Sequence, residues 1–321
     1  MQNATTQEQL MRSLPGLALV GISILWGSSW IVSPLLSEVA EPFAATALVL
    51  STAAVILGVA CGLLSLKKVP FQSAQSDSTG VHIPHTALLT LLMFILPTLL
   101  LAAAQHLGSA GWTPFLYAFL PLLLAFPGGS WQAAMIVAVG AVLVLLNGTV
   151  PVAVDRMPAA ALALAAVLSQ GSALWLSRKW LFGKRMDALL ASLIMQLLIA
   201  AATLALLSCF FDKLPQVAAR ALWQPAPLLS ICLLGVLGTA VPYAVLYWLL
   251  ARSTFEPYQL ATSQWLQTLV LSAESAWFAR IMPPWLAWAA AVVVVAATVL
   301  VIRQDPDAQA VPVVFRGSPT G

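Results

Sequence analysis

Charge is what this sequence has least of. Only 8% of its 321 residues are Asp, Glu, Lys or Arg, against about 25% in an ordinary soluble domain. That shortage excludes a conventional globular enzyme more firmly than any motif could. Cysteine is also scarce: Cys61, Cys209 and Cys232 lie inside apolar runs without a CxxC, so neither a disulfide framework nor a zinc site is expected and they read as small packing residues. The three histidines, His82, His85 and His106, form no HExxH, and the first two fall in what reads as a flexible loop. No phosphate-binding glycine loop and no dinucleotide fingerprint appears, which excludes a nucleotide-driven engine. The expectation is therefore not an enzyme, with no cofactor, no metal and no nucleic-acid partner. No cleavable leader is evident either, since residues 1–14 are polar and the apolar run that follows is long enough to span.

What is present is apolar sequence in long runs: 61% of residues are hydrophobic and the mean hydropathy is +0.94. Ten runs suit a helix crossing a hydrocarbon layer, which takes about 20 residues. They are roughly 15–36, 42–66, 86–106, 110–127, 131–150, 158–178, 187–211, 227–250, 257–279 and 283–303. Backbone amides inside lipid need internal partners, so the fold class expected is an all-α integral membrane protein of ten transmembrane helices. Residues 1–14 form a polar N-terminal segment, and 304–321, rich in turn formers, a disordered tail.

The basic residues orient these spans. With a cytoplasmic N-terminus, ten of them (Arg12, Lys67, Lys68, Arg178, Lys179, Lys184, Arg185, Arg252, Arg303 and Arg316) fall inside. Four, Arg156, Lys213, Arg220 and Arg280, fall outside. The positive-inside rule then puts both termini in the cytoplasm, as an even number of spans requires.

A repeat runs through the chain. Gly27, Ser28 and Ser33 recur 144 residues later as Gly171, Ser172 and Ser177, and Pro97 recurs 145 later as Pro242. The copies would be 15–150 and 158–303, each of five spans. An odd number of spans inverts the second copy, which is the arrangement that lets a carrier open alternately to either side.

The candidate site follows from polar and aromatic residues placed at depth. Trp26 and Trp30 are four apart on one helix face beside Gly27 and Ser28, and Gln170 and Trp175 occupy the matching helix. Gln264 and Gln267 stand in a ninth span that also holds Gln259, Thr262 and Ser263. So many amides in one apolar helix suggest a wetted or substrate-lined wall, with helix–helix hydrogen bonding the rival explanation. Gln105, Tyr117, Tyr243 and Tyr247 complete the expected lining. Glu274, a carboxylate inside a span, is the candidate proton-coupling group, or else an interfacial charge near Arg280. Pro97, Pro121 and Pro242 are expected to bend their helices.

Taken together these segments resemble the drug/metabolite transporter superfamily, and within it the EamA-type ten-helix carriers. The resemblance rests on Leu25-Trp26-Gly27-Ser28 in the first span, Leu107-Gly108-Ser109-Ala110 with Leu120-Pro121-Leu122, and Leu234-Gly235-Val236-Leu237-Gly238-Thr239-Ala240 in the eighth. It departs in three places: no arginine opens the second span at Phe43–Leu48, no proline interrupts Trp265–Gln267, and no glutamate stands near Gly128–Trp131. The resemblance implies a central cavity enclosed by helices one to four and six to nine. It also implies export of a small organic metabolite, an amino acid or an amphipathic compound, from a bacterial inner membrane. Expected partners are that solute and membrane lipids, with a homodimer open. The competing classes are a membrane-embedded lipid-modifying enzyme and a non-transporting receptor or assembly subunit.

Overall fold

The computed structural model describes residues 2–37, 40–66, 83–107, 120–125, 157–212, 224–252 and 255–267, with a few isolated positions besides. Every regular element among them is helical. They are α1 (Gln2–Ser37), α2 (Pro42–Leu66), α3 (Ile83–Thr90), α4 (Leu96–His106), α5 (Leu120–Ala125), α6 (Met157–Leu181), α7 (Met186–Phe211), α8 (Pro225–Leu233), α9 (Val241–Arg252) and α10 (Pro257–Ala261). Residues 263–267 continue the last of these as helix.

Among the described residues, five helical stretches are long and apolar enough to cross a membrane: Pro42–Leu63, Ile83–His106, Met157–Leu181, Met186–Phe211 and Pro225–Ala251, with mean hydropathy between 1.6 and 2.4. Their outward faces are apolar as well. Val55, Val59 and Leu63 stack at every fourth position on α2, and Leu206 and Phe210 project from α7, Phe210 being 77% exposed. Patches of this kind on a water-soluble protein would drive association; in lipid they are the ordinary surface. By helix length and hydropathy the chain is a multi-pass integral membrane protein. The expected fifth span and nearly all of the tenth lie outside the described residues, as does the expected tail.

Two differences from the sequence-based expectation concern helix starts. α1 begins at Gln2, so the polar N-terminal segment is helix continuous with the first span. Gln, Glu, Leu, Met and Arg dominate residues 2–13 and all favour helix. His85 lies in the first turn of α3 and stacks on Trp180 at 4.1 Å, rather than in a loop. The three cysteines are thiols rather than disulfides, yet Cys209 and Cys232 are exposed and do not pack the interior.

The packing core is the α2–α7 pair. Leu189, Leu193, Leu197, Ala200 and Leu204 recur at three- and four-residue intervals on α7, forming one buried stripe. Facing them, Ala44, Ala47, Ala53 and Ala54 of α2 are small enough for the two backbones to come close. Asp212, just past α7, closes one end by accepting the Ala44 N–H at 2.9 Å. That amide belongs to the first turn of α2, where no intrahelical carbonyl is available and a negative charge is favourable. At the end of α6, Gly183 takes a left-handed φ of +73° and donates its N–H to Ala251 O at 3.0 Å. Beside it Arg178 Nη1 donates to Leu250 O at 2.6 Å, so the turn between α6 and α7 caps the end of α9.

Two of the spans are broken in the same manner. α3 passes into α4 through a π-helical stretch, Leu91–Ile95, and α8 into α9 through another, Leu234–Ala240. Each stretch ends two residues before a proline, Pro97 or Pro242. Proline has no N–H to give and its ring crowds the carbonyl four residues back. A widened turn relieves the crowding, keeps the chain helical and leaves that carbonyl free.

Candidate functional site

The freed carbonyls are those of Met93 and Gly238, and both are taken by another helix. Trp26 Nε1 on α1 donates to Gly238 O at 3.1 Å, and Gln170 Nε2 on α6 donates to Met93 O at 3.3 Å. Ser169 Oγ adds a bond to Leu92 O at 2.8 Å. Donor and acceptor thus occur twice: Gln170 lies 144 residues after Trp26, and Gly238 lies 145 after Met93. The bonds run crosswise, α1 to the α8–α9 span and α6 to the α3–α4 span.

Close helix approaches hold these donors in place. A Cβ on Gly27 would lie 2.7 Å from Val270 Cβ and 2.9 Å from Gln267 O, so only glycine lets α1 sit against the helix that follows α10. A Cβ on Gly171 would lie 2.8 Å from Leu120 Cδ1, where α6 meets α5. The two glycines are the same 144 residues apart.

Two adjoining cavities of about 160 and 280 Å³ lie between these helices and share Trp26, Ser29, Met93, Gln170 and Tyr243 as walls. The smaller is completed by Leu120, Leu174, Leu246, Ser263, Gln264 and Gln267; the larger reaches Ser33, Thr46, Phe94, Pro97, Thr98 and Thr239. Tyr243 meets Trp26 edge to face at 5.6 Å and tilts against Phe94 at 4.9 Å, giving the space one aromatic side. Serines and amides supply the opposite character. Among the described lining residues none is charged. Such a lining can stack a planar or apolar group while hydrogen-bonding a polar one.

The expected site residues divide. Trp26, Gln170, Tyr243, Gln264 and Gln267 line the cavities, and Pro97 reaches the larger one. Pro242 instead shapes the break beside Gly238. Pro121 is buried as the second residue of α5. Ser28 does not line either space: its hydroxyl bonds Ile24 O one turn back on α1. Trp175 is 54% exposed, with Lys179 Nζ 5.9 Å above its ring. Five helical positions after Gln170 correspond to a turn of about 140°, which aims Trp175 away from the cavity. Gln105 is exposed at the end of α4. Tyr247 is buried in the core, its hydroxyl donating to Gln196 Oε1 at 2.6 Å while Gln196 Nε2 donates to Ser192 Oγ at 3.1 Å. Gln259 belongs to a capping box, accepting the Glu256 N–H at 2.8 Å and holding the start of α10. Tyr117, Glu274 and the side chain of Trp30 lie outside the described residues.

Ser29, Met93, Phe94 and Gly238 were not expected at the site. The carbonyls had a signal, since each lies four residues before a mid-span proline. The pairing with Trp26 and Gln170 had none, because a bond to a helix distant in the chain leaves no local trace in sequence.

No protein-family profile matches the chain, and no curated protein matches it. Among solved structures 21 chains match. One is a crystal structure that superposes with a TM-score of 0.69 at 18% identity, over 90% of this chain and 96% of its own. At that identity the likeness shows the fold alone.

Proposed function

We propose that this chain is a secondary transporter of ten transmembrane helices, built as two inverted five-helix repeats around one solute cavity. The observation that carries the proposal is the crossed pair of hydrogen bonds, Trp26 to Gly238 and Gln170 to Met93. Equivalent donors of two copies grip equivalent proline-freed carbonyls of the opposite copy, and both grips form cavity wall. Broken helices at the junction of repeats are the usual setting of a carrier's binding site. Rocking one copy against the other would change both grips together, opening the space to one side as it closes on the other.

The resemblance to EamA-type carriers supports export of a small organic metabolite, an amino acid or an amphipathic compound, from a bacterial inner membrane with both termini cytoplasmic. Glu274 is the proposed proton-coupling residue. Purified protein in proteoliposomes should exchange a radiolabelled metabolite mixture against the same unlabelled mixture, and Trp26→Ala with Gln170→Ala should abolish the exchange. Absence of any saturable, protein-dependent flux across a broad metabolite panel would refute the carrier assignment. Glu274→Gln should remove the response to an imposed pH gradient; an unchanged response would refute the coupling role.

A further inference from the structure

Gln267 lines the smaller cavity and is 6% exposed, and its Oε1 is buried beside that space without a hydrogen-bond partner. Leaving a buried amide oxygen unpaired costs about 1–3 kcal/mol, so it is seldom retained without a use. Ser263 and Gln264 stand on the same helix and line the same space.

We infer that Gln267 Oε1 is the acceptor for a hydrogen-bond donor carried by the solute, and that the solute is an uncharged, single-ring-sized compound bearing an N–H or O–H group. This rests on the carrier reading above and narrows its solute to the amphipathic compound, because an amino acid is a zwitterion. Size follows from volume: an apolar cavity of about 150 Å³ holds one benzene, and the smaller space is about 160 Å³. Neutrality follows from the lining, which among the described residues offers Trp26, Tyr243, Ser29 and three glutamines but no ion partner. A buried charge without a partner would be rejected. Donor selectivity follows from the unpaired oxygen, since a site built around an unmet acceptor discriminates against analogues that cannot fill it.

The test uses full-length protein in nanodiscs and matched neutral probes: phenol against anisole, and benzamide against N,N-dimethylbenzamide. The donor-bearing member of each pair should bind at least tenfold more tightly. Gln267→Met, which keeps the length of the side chain and removes the acceptor, should erase that preference. It should also raise the melting temperature of the empty protein, because an unpaired buried oxygen is gone. Gln267→Asn, an amide one methylene shorter, is the second variant and should keep part of the preference. Equal binding within the pairs, no saturable binding of phenol or benzamide, or a preference that survives in Gln267→Met would each overturn the inference. Donor-selective binding without solute flux would refute transport while upholding this subsite. Flux without donor selectivity would do the reverse.

Discussion

Replacing Trp26 with Phe removes one hydrogen-bond donor together with part of the ring. The ring edge against Tyr243 is largely kept, but the Gly238 carbonyl loses the indole N–H that meets it at 3.1 Å. An unpaired buried carbonyl costs about 1–3 kcal/mol in general. Interhelical bonds within membrane proteins measure lower, averaging about 0.6 and reaching about 1.7 kcal/mol. Roughly 1 kcal/mol is therefore expected from the lost bond, on top of whatever the smaller ring loses in packing. The packing loss can be cancelled by changing the cause of the vacancy. Gly238 O is free only because Pro242, four residues on, has no N–H. Pro242→Ala restores that N–H at the position where a regular helix bonds residue i to residue i−4.

The cycle of Trp26→Phe, Pro242→Ala and the double variant isolates the bond. Trp26→Phe should destabilise the native background by about 1 kcal/mol more than the Pro242→Ala background, which in a chain of this size is a difference of about 2 °C in melting temperature. Denaturant titration in mixed micelles gives the free energies, and a thermal scan the temperatures. Equal costs in both backgrounds would show that the Gly238 carbonyl does not depend on Trp26. The account of the π-helical break would fail with it.

Other consequences are as direct. Gln170→Leu against Pro97→Ala should show the same coupling with smaller magnitude, because the Gln170–Met93 bond is longer at 3.3 Å; the same micelle titration reads it. Gly27→Ala should cost about 1–3 kcal/mol, as overpacking does, since the new methyl meets a Cβ and a backbone oxygen. Gly171→Ala should cost clearly less, its obstacle being the far end of Leu120; thermal scans of the two variants side by side check the order. Tyr247→Phe leaves Gln196 Oε1 unpaired in the core and should lose about 1–3 kcal/mol, most of it recovered in Tyr247→Phe with Gln196→Leu, measured by denaturant midpoint. Asp212→Ala should lose about 1 kcal/mol through the first turn of α2, and Asp212→Asn less because its oxygen still accepts from Ala44.

Much of the scaffold was legible because lipid imposes one rule along the whole length of a span. Residues 42–66, 187–211 and 227–250 carry apolar side chains on every face, and the helices α2, α7 and the α8–α9 span follow those limits to within two residues. Where a helix leaves the hydrocarbon the rule no longer applies. That is why the polar start of α1 and the first turn of α3 were placed one or more residues away from where they form: in water, local helix propensity decides, and hydropathy is blind to it.

The site was legible only in its axial coordinate. Depth along a helix can be counted from the apolar run, which is how Trp26, Gln170, Tyr243 and Gln267 are assigned to mid-span from sequence. Which side of the helix a residue presents cannot be counted when the whole circumference is apolar, because the amphipathic stripe that orients a soluble helix is missing. Ser28 and Trp175 illustrate that degeneracy: they share helices with Trp26 and Gln170 but line neither cavity. Rotation is set instead by features that break the apolar uniformity: glycines at close crossings and prolines that free a carbonyl. Gly27 presses α1 against the helix after α10, and Gly238 O draws the Trp26 indole from the neighbouring residue position. Those two contacts together fix how α1 is turned. The same reasoning applied to Gly171, Met93 O and Gln170 fixes α6. In an apolar helix bundle, then, glycine–proline pairs recurring at one offset say more about which residues face a shared interior than tryptophan or tyrosine does, since aromatic side chains are as comfortable toward lipid as toward a cavity.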